Sequence, residues 1–405
     1  MKETAIFACA VIFVIAAAAG AFADSGGRIY GKITTVDGDV YQGLIRWDKN
    51  EGSWFDILNG DKELRDARHR RHYHERIRVF GITVGERFSA GDIGSAQSGL
   101  SFGHVKSLEP IDDNAVRLTL KSGQKVTLEG GSSDIGEDIR GIAIEDAKEG
   151  EIGFDWNDIE RIEFMEGPAD LKSTFGERLY GTLTTRRGDA YTGWVSWDVD
   201  ELFTGDVIDG KDKNHTRKVP CGAIRAIERH GSSAAALTTA KGEEIVLRGT
   251  NDVNASNRGI SVYEPGLGQV TVSWDEFGKL EFKAPPASIP YGGFDGGRRL
   301  EGTVYTGGGK QYSGAIRWDD DEEYTWEILD GDYHEASFDI EFGAIKTIER
   351  QGYNAAMVTM WNGRSFRLSG SNDVDEDNKG IFIKTNDGGE VEVGWEDLDR
   401  VEFKR

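Results

Sequence analysis

The sequence predicts an all-β protein built of three tandem repeats of about 120 residues, each divided into two halves. Three observations carry this. Tyr41, Gly43, Ile45, Trp47 and Asp48 reappear as Tyr191, Gly193, Val195, Trp197 and Asp198, and again as Tyr312, Gly314, Ile316, Trp318 and Asp319. Within each block, every second residue is apolar or Gly, the period of a half-buried strand. A frame of three apolar positions closed by Glu recurs six times. It reads Phe102, Val105, Leu108, Glu109 and then Trp156, Ile159, Ile162, Glu163 in the first copy. Cys221, Ile224, Ile227, Glu228 and Trp274, Phe277, Leu280, Glu281 follow. Phe342, Ile345, Ile348, Glu349 and Trp395, Leu398, Val401, Glu402 complete the set.

Taken in order, the chain opens on Lys2 and an apolar run from Ala5 to Ala23 ending Ala21-Phe22-Ala23, the form of a signal-peptidase site. Residues 1–23 are expected to be a removed signal peptide, which predicts a periplasmic, cell-surface or extracellular protein; an uncleaved anchor is the alternative. Repeat 1 is expected over residues 24–165, with a hairpin turn at Asp37-Gly38. It carries an insertion at about 62–92 that the other copies lack. Its second half holds Ser133-Asp134 and Arg140-Gly141-Ile142, matched by Asn251-Asp252 and Arg258-Gly259-Ile260, and by Asn372-Asp373 and Lys379-Gly380-Ile381. Repeat 2 is expected over 170–283, a Pro/Gly linker over 284–295 and repeat 3 over 296–405. Pro285, Pro286 and Pro290 set that linker. No repeat shows a long helical period, and the recurring frame reads as a short turn feeding a final strand.

A half-repeat of about fifty residues, with about five short strands and one turn before the last, resembles a small SH3-like or Sm-like barrel. The opening hairpin, Gly31 through Asp37-Gly38 to Tyr41 and Gly43, carries the likeness. The resemblance implies six barrel submodules in three pairs and no function. Six similar units also fit a six-bladed β-propeller, the alternative arrangement.

The 48 basic and 71 acidic residues give a formal charge of −23, which argues against nucleic acid as a partner. Aromatics at 10% exclude a disordered acidic chain. After cleavage only Cys221 remains of two cysteines, so no internal disulfide forms. It stands where other copies have Phe102 and Phe342, a core position.

Trp47, Trp197 and Trp318 share a face with apolar strand residues and are expected in the core. Trp54, Trp194, Trp326 and Trp361 each lack an aromatic match in at least one copy and are candidate binding platforms. Asp373, Asp375 and Asp377 form a string of calcium-type oxygen ligands, although the acid that should close such a loop is replaced by Lys384. The insertion holds six arginines between residues 65 and 78 against Asp66 and Glu75. Arg68, Arg70 and Arg71 are candidates for docking an acidic partner, and His69, His72 and His74 for binding zinc or nickel. Glu51, Glu201 and Glu322, with Asp56, Asp206 and Glu327, recur as acid pairs. Recurrence in three copies favours a role in turns or strand edges over one in an active site.

No Ser-His-Asp order, phosphate loop or HExxH string is present. The expectation is therefore an exported, non-catalytic binding or scaffolding protein engaging an envelope protein, peptide or glycan, without a membrane span once cleaved. A calcium-stabilised surface or matrix protein and a carbohydrate-active hydrolase are the alternatives.

Overall fold

A computed structural model describes residues 27–63, 73–79, 82–89, 95–130, 132–168, 171–213 and 215–405; the signal segment lies outside the described residues. Repeat 1 contains β1 (Tyr30–Thr35), β2 (Val40–Trp47), β3 (Ile57–Glu63), β4 (Tyr73–Val79), β5 (Ile82–Ser89), β6 (Ser95–Ser101), β7 (Val105–Asp112), β8 (Ala115–Leu120), β9 (Lys125–Glu129), β10 (Ile142–Asp146), β11 (Gly150–Phe154) and β12 (Ile159–Phe164). Repeat 2 contains β13 (Tyr180–Thr185), β14 (Ala190–Trp197), β15 (Val207–Asp212), β16 (His215–Pro220), β17 (Ile224–Arg229), β18 (Ala234–Thr239), β19 (Glu244–Arg248), β20 (Ile260–Glu264), β21 (Gly268–Val272) and β22 (Phe277–Phe282). Repeat 3 contains β23 (Glu301–Thr306), β24 (Gln311–Arg317), β25 (Ile328–Tyr333), β26 (Ala336–Glu341), β27 (Ile345–Arg350), β28 (Ala355–Met360), β29 (Ser365–Ser369), β30 (Ile381–Thr385), β31 (Glu390–Val393) and β32 (Leu398–Phe403). The helical segments among the described residues are three-residue 3-10 turns. Five of them, beginning at Phe102, Trp156, Cys221, Phe342 and Trp395, are turns that the recurring frame predicts; at the sixth frame, Trp274 opens a turn that is not 3-10.

The three repeats share one topology, all antiparallel. Repeat 1 runs β11-β10-β2-β1-β12-β7-β8-β9-β3-β6. The same pairings recur in repeat 2, where β14 meets β20 and β15 meets β19, and in repeat 3, where β24 meets β30 and β25 meets β29. The order reads alike from either end once the two halves are superposed, with the centre at the β12–β7 pair.

This corrects the expectation of contiguous barrels. Among the described residues the sheets are open and form neither six closed barrels nor a six-bladed ring. Strand β2 does not pair with β3, its successor in the same half. It pairs with β10 of the other half, and β3 pairs with β9. Each half-sheet is completed by strands from its partner half, so the chain crosses over twice, at residues 48–56 and 130–141.

These crossovers are the recurrent sequence blocks, and they lock to one another. The indole Nε1 of Trp47 donates to the Asp134 carbonyl at 2.9 Å, Trp197 to Asp252 at 2.9 Å and Trp318 to Asp373 at 3.0 Å. The Asp134 carboxylate accepts the Asn59 amide at 2.8 Å, that of Asp252 the Asp209 amide at 2.7 Å, and that of Asp373 the Asp330 amide at 2.8 Å. In return, Asp48, Asp198 and Asp319 are fully buried and accept the amides of Arg140, Arg258 and Lys379. The tryptophans of the strand block and of the recurring frame are buried and meet in pairs near 80°: Trp47 with Trp156, Trp197 with Trp274 and Trp318 with Trp395.

Repeats 2 and 3 fuse into one sheet because β21 pairs with β26, from Gln269 opposite Asp339 to Val272 opposite Ala336. Repeat 1 keeps its own sheet and packs on both. The segment expected as a linker is a docking strap. Tyr291 packs 4.4 Å from the Trp54 ring and donates its hydroxyl to the Val105 carbonyl at 2.7 Å; Phe294 covers His104 at 5.2 Å.

Replacing Trp197 with Phe keeps an aromatic ring and removes the donor to Asp252, leaving a buried carbonyl unpaired. It should cost about 1–2 kcal/mol of unfolding free energy by urea denaturation. Trp47→Phe and Trp318→Phe should cost similar amounts, because the same bond is lost.

Candidate binding site

The recurrent acids Asp56, Asp206 and Glu327 each perform two tasks. One oxygen gathers two backbone amides at the end of the crossover: Gly52 and Ser53, Leu202 and Phe203, or Glu323 and Tyr324. The other oxygen takes a cation from a different repeat. Asp56 holds Arg178 of repeat 2 at 2.8 Å, Asp206 holds Arg46 of repeat 1 at 2.8 Å, and Glu327 holds Lys62 of repeat 1 at 2.6 Å. Each carboxylate is thus held on one side by a pair of amides and on the other by a cation.

Around the first two bonds, repeats 1 and 2 exchange arginines. Arg28 lies 3.9 Å above the Phe203 ring, and Arg178 stands 5.6 Å from that of Phe55. Burial lowers the pKa of Arg28 to about 9. Phe55 also stacks on Tyr263 at 4.5 Å and meets Trp194 at 5.0 Å.

Beside this junction a cleft of about 600 Å³ opens between the repeats. Its floor is the outward face of β2, β10 and β11, where Arg46, Ala143 and Gly153 stand side by side in register. The matching rung is Ser196, Ser261 and Thr271 in repeat 2, and Arg317, Phe382 and Glu392 in repeat 3. Repeat 1 has the smallest side chains on the two outer strands of this rung, and a Cβ on Gly153 would meet nothing within 4 Å. Phe175, Asp200, Glu201, Asp206 and Val207 form the opposite wall. Arg46 is committed to Asp206, and Arg140 to Asp48 and Asp200. Lys49 and Glu151, also on the lining, form no ion pair among the described residues.

Glu201 is pushed up to about 10, chiefly by burial and then by Asp252, Asp200 and Asp198. Such a carboxylic acid on a cleft resembles a general acid. Its equivalents speak for a structural role instead. Burial also drives Glu51 and Glu322 far above the carboxylate range, and neither lines this cleft. In all three, Oε2 is buried without a hydrogen-bond partner.

The predicted platforms fall in different places. Trp54, Trp194 and Trp326 are buried, which corrects their expected exposure: what they bind is the rest of the chain. Trp54 holds the strap, Trp194 holds Phe55, and Trp326 donates to Gln124 of repeat 1 at 3.3 Å. Trp361 alone of the four is half-exposed, at a hairpin turn near Arg405. Asp373 is turned into the crossover lock, while Asp375 accepts the Asp377 amide and Asp377 is exposed. Among the described residues, the side chains whose ligand atoms lie within 4.8 Å of one another are Asp198, Asp200 and Glu201. Arg258 and Arg140 already bind there: Arg258 bonds Asp198 at 2.9 Å, and Arg140 bonds Asp200 at 2.9 Å. Arg68, His69, Arg70, Arg71 and His72 lie outside the described residues. His74 stands opposite Phe88 in the β4–β5 hairpin that the insertion forms. Buried Cys221 is a core thiol pushed upward by desolvation.

The cleft residues Arg46, Ala143 and Gly153 carried no signal as a motif. Comparison of the three copies at that rung would have found them, since the two outer-strand positions shrink only in repeat 1. No protein-family model, curated protein or solved structure matches the chain. No helix among the described residues is long and apolar enough to cross a membrane.

Two predictions follow from the buried charges. Arg178→Ala strands Asp56 and should cost about 3–5 kcal/mol in chemical denaturation. Glu201 keeps in the folded state a proton that the unfolded chain loses near 4.5. Stability must therefore fall as pH rises from about 4.5 toward 10. Urea midpoints should decline from pH 5 to pH 9, and Glu201→Gln should flatten that decline.

Proposed function

We propose that the protein is a non-catalytic binding scaffold whose ligand site is the cleft between repeats 1 and 2. The observation that carries this reading is the rung Arg46, Ala143 and Gly153, shallow in the one repeat where the cleft lies over it. Two further features support a peptide as the ligand. The floor is a sheet face bounded by edge strand β11, a surface suited to an extended segment. The lining offers apolar contact from Ile142, Phe154, Phe175 and Val207 among several carboxylates, which favours a segment alternating basic and apolar residues. A sugar would be served better by an open aromatic face, whereas the Phe175 ring is stacked on Phe203 at 5.9 Å. The apolar run Ala5–Ala23 supports an exported location, hence a partner in the cell envelope or beyond it.

Gly153→Phe tests the reading. Its side chain enters open space, so thermal stability should stay within about 0.5 kcal/mol of the parent. A random-peptide selection on the parent protein should enrich basic-apolar segments, and Gly153→Phe should weaken their binding about tenfold in calorimetry. Failure to enrich any peptide, or equal binding to both proteins, would reject the cleft as the site.

A further inference from the structure

The β21–β26 pair is a template for joining repeats by their edges. Strand β21 is the outermost strand of one half-sheet in repeat 2, and β26 is the outermost strand of the other half-sheet in repeat 3. Outside repeat 1, whose sheet ends in β11 and β6, the same two edges exist once more. In repeat 3 the counterpart of β21 is β31, which pairs only with β30 among the described residues. In repeat 2 the counterpart of β26 is β16, which among the described residues pairs only with β15. Repeats 2 and 3 align without a gap from Tyr191/Tyr312 through Cys221/Phe342 to Trp274/Trp395, so the register transfers residue by residue. Gln269 opposite Asp339 becomes Glu390 opposite Lys218, and Val270 opposite Phe338 becomes Val391 opposite Arg217.

Exposure and charge agree with this transfer. Strand β26 is largely buried, whereas His215, Thr216, Arg217 and Lys218 of β16 are all exposed. Strand β31 reads Glu390, Val391, Glu392 and Val393, with both glutamates exposed. One edge is basic and the other acidic. Charges placed only to block edge pairing require no such opposition of sign. Glu390 lies 4.0 Å from Arg317, a contact long enough to be shared. Other contacts of the template transfer as well. Asn362, which donates to the Gly266 carbonyl, becomes Lys241 beside Asp387, and the Tyr191–Phe338 ring contact becomes Tyr312 beside Arg217. Three ion pairs of the template do not transfer: His334 with Asp189 becomes Lys213 with Lys310, both at hairpin tips, Arg364 with Glu264 becomes Glu243 with Thr385, and Arg187 with Glu335 becomes Asn214 with Gly308.

We infer that copies of this chain associate head to tail, β31 of one copy adding antiparallel to β16 of the next. Such a contact uses two different surfaces and leaves one of each free, so it grows open chains rather than closed dimers.

Sedimentation velocity of the chain from residue 24 onward, at low ionic strength over a concentration series, tests this. The parent should show species beyond a dimer as concentration rises. Glu390→Lys and Lys218→Glu should each weaken association about tenfold, and the double variant E390K/K218E should regain it. Lys310→Glu should strengthen it. All three substituted positions are exposed, and unchanged circular-dichroism melts verify folding. A parent that stays monomeric to about 1 mM overturns the inference. So does association that neither reversal weakens, or a double variant no better than the singles.

Discussion

A tryptophan indole bonded to an aspartate carbonyl across two crossing segments holds each repeat closed, and the rest of the architecture depends on it. Because β2 is completed by β10 and β3 by β9, neither half has a finished sheet alone. The crossing segments must therefore lie against each other at a fixed distance. The indole sets that distance, and the carboxylates behind it satisfy amides that the crossing would otherwise leave buried and unpaired. Asp48, Asp198 and Asp319 adopt positive φ of 39°, 45° and 45°, an unfavourable backbone state for such residues. Each is held there by the amide and side chain of the facing crossover, so the local strain is offset by the bonds it makes possible.

The same chemistry explains how identical repeats came to occupy different places. Each repeat presents one preformed carboxylate at the end of its crossover, and each carboxylate recruits a different cation. A buried ion pair is a poor source of stability compared with apolar packing. Its value here is directional: Arg178, Arg46 and Lys62 specify which repeat meets which. The unmatched aromatics Trp54, Trp194 and Trp326 add the apolar area around those bonds. Divergence between the copies thus serves mainly interfaces within the chain, and the rung of repeat 1 stands out because a cleft remains over it where repeat 2 approaches.

Much of this was legible in the sequence. The three-by-two organisation, the strands, the six turns and the buried tryptophans all follow from local spacing, which the backbone periods dictate directly. Strand exchange was not legible. A period of two fixes which face of β2 is buried, but β3 and β10 offer equivalent edges to it. Nor could the sequence separate an aromatic that binds a ligand from one that binds another repeat, since both break the symmetry in the same way. Trp326 and Trp361 look alike as unmatched tryptophans; only the fold places one under repeat 1 and the other at a half-exposed turn.

The formal charge of −23 also changes meaning once the crossovers are known. Burial raises Asp134 to about 7, Asp252 to about 6, Asp319 to about 7 and Glu201 to about 10, and drives Glu51 and Glu322 well above the carboxylate range. Several of the 71 acids therefore carry little or no charge near neutrality. The field outside the protein comes from the carboxylates of hairpins and edges, the groups that remain in water. An acidic composition and a core rich in carboxyls are compatible because some buried acids keep their protons and others are paired with cations. The charge that partners meet is smaller than the composition states, and it is set by the surface strands rather than by the repeat itself.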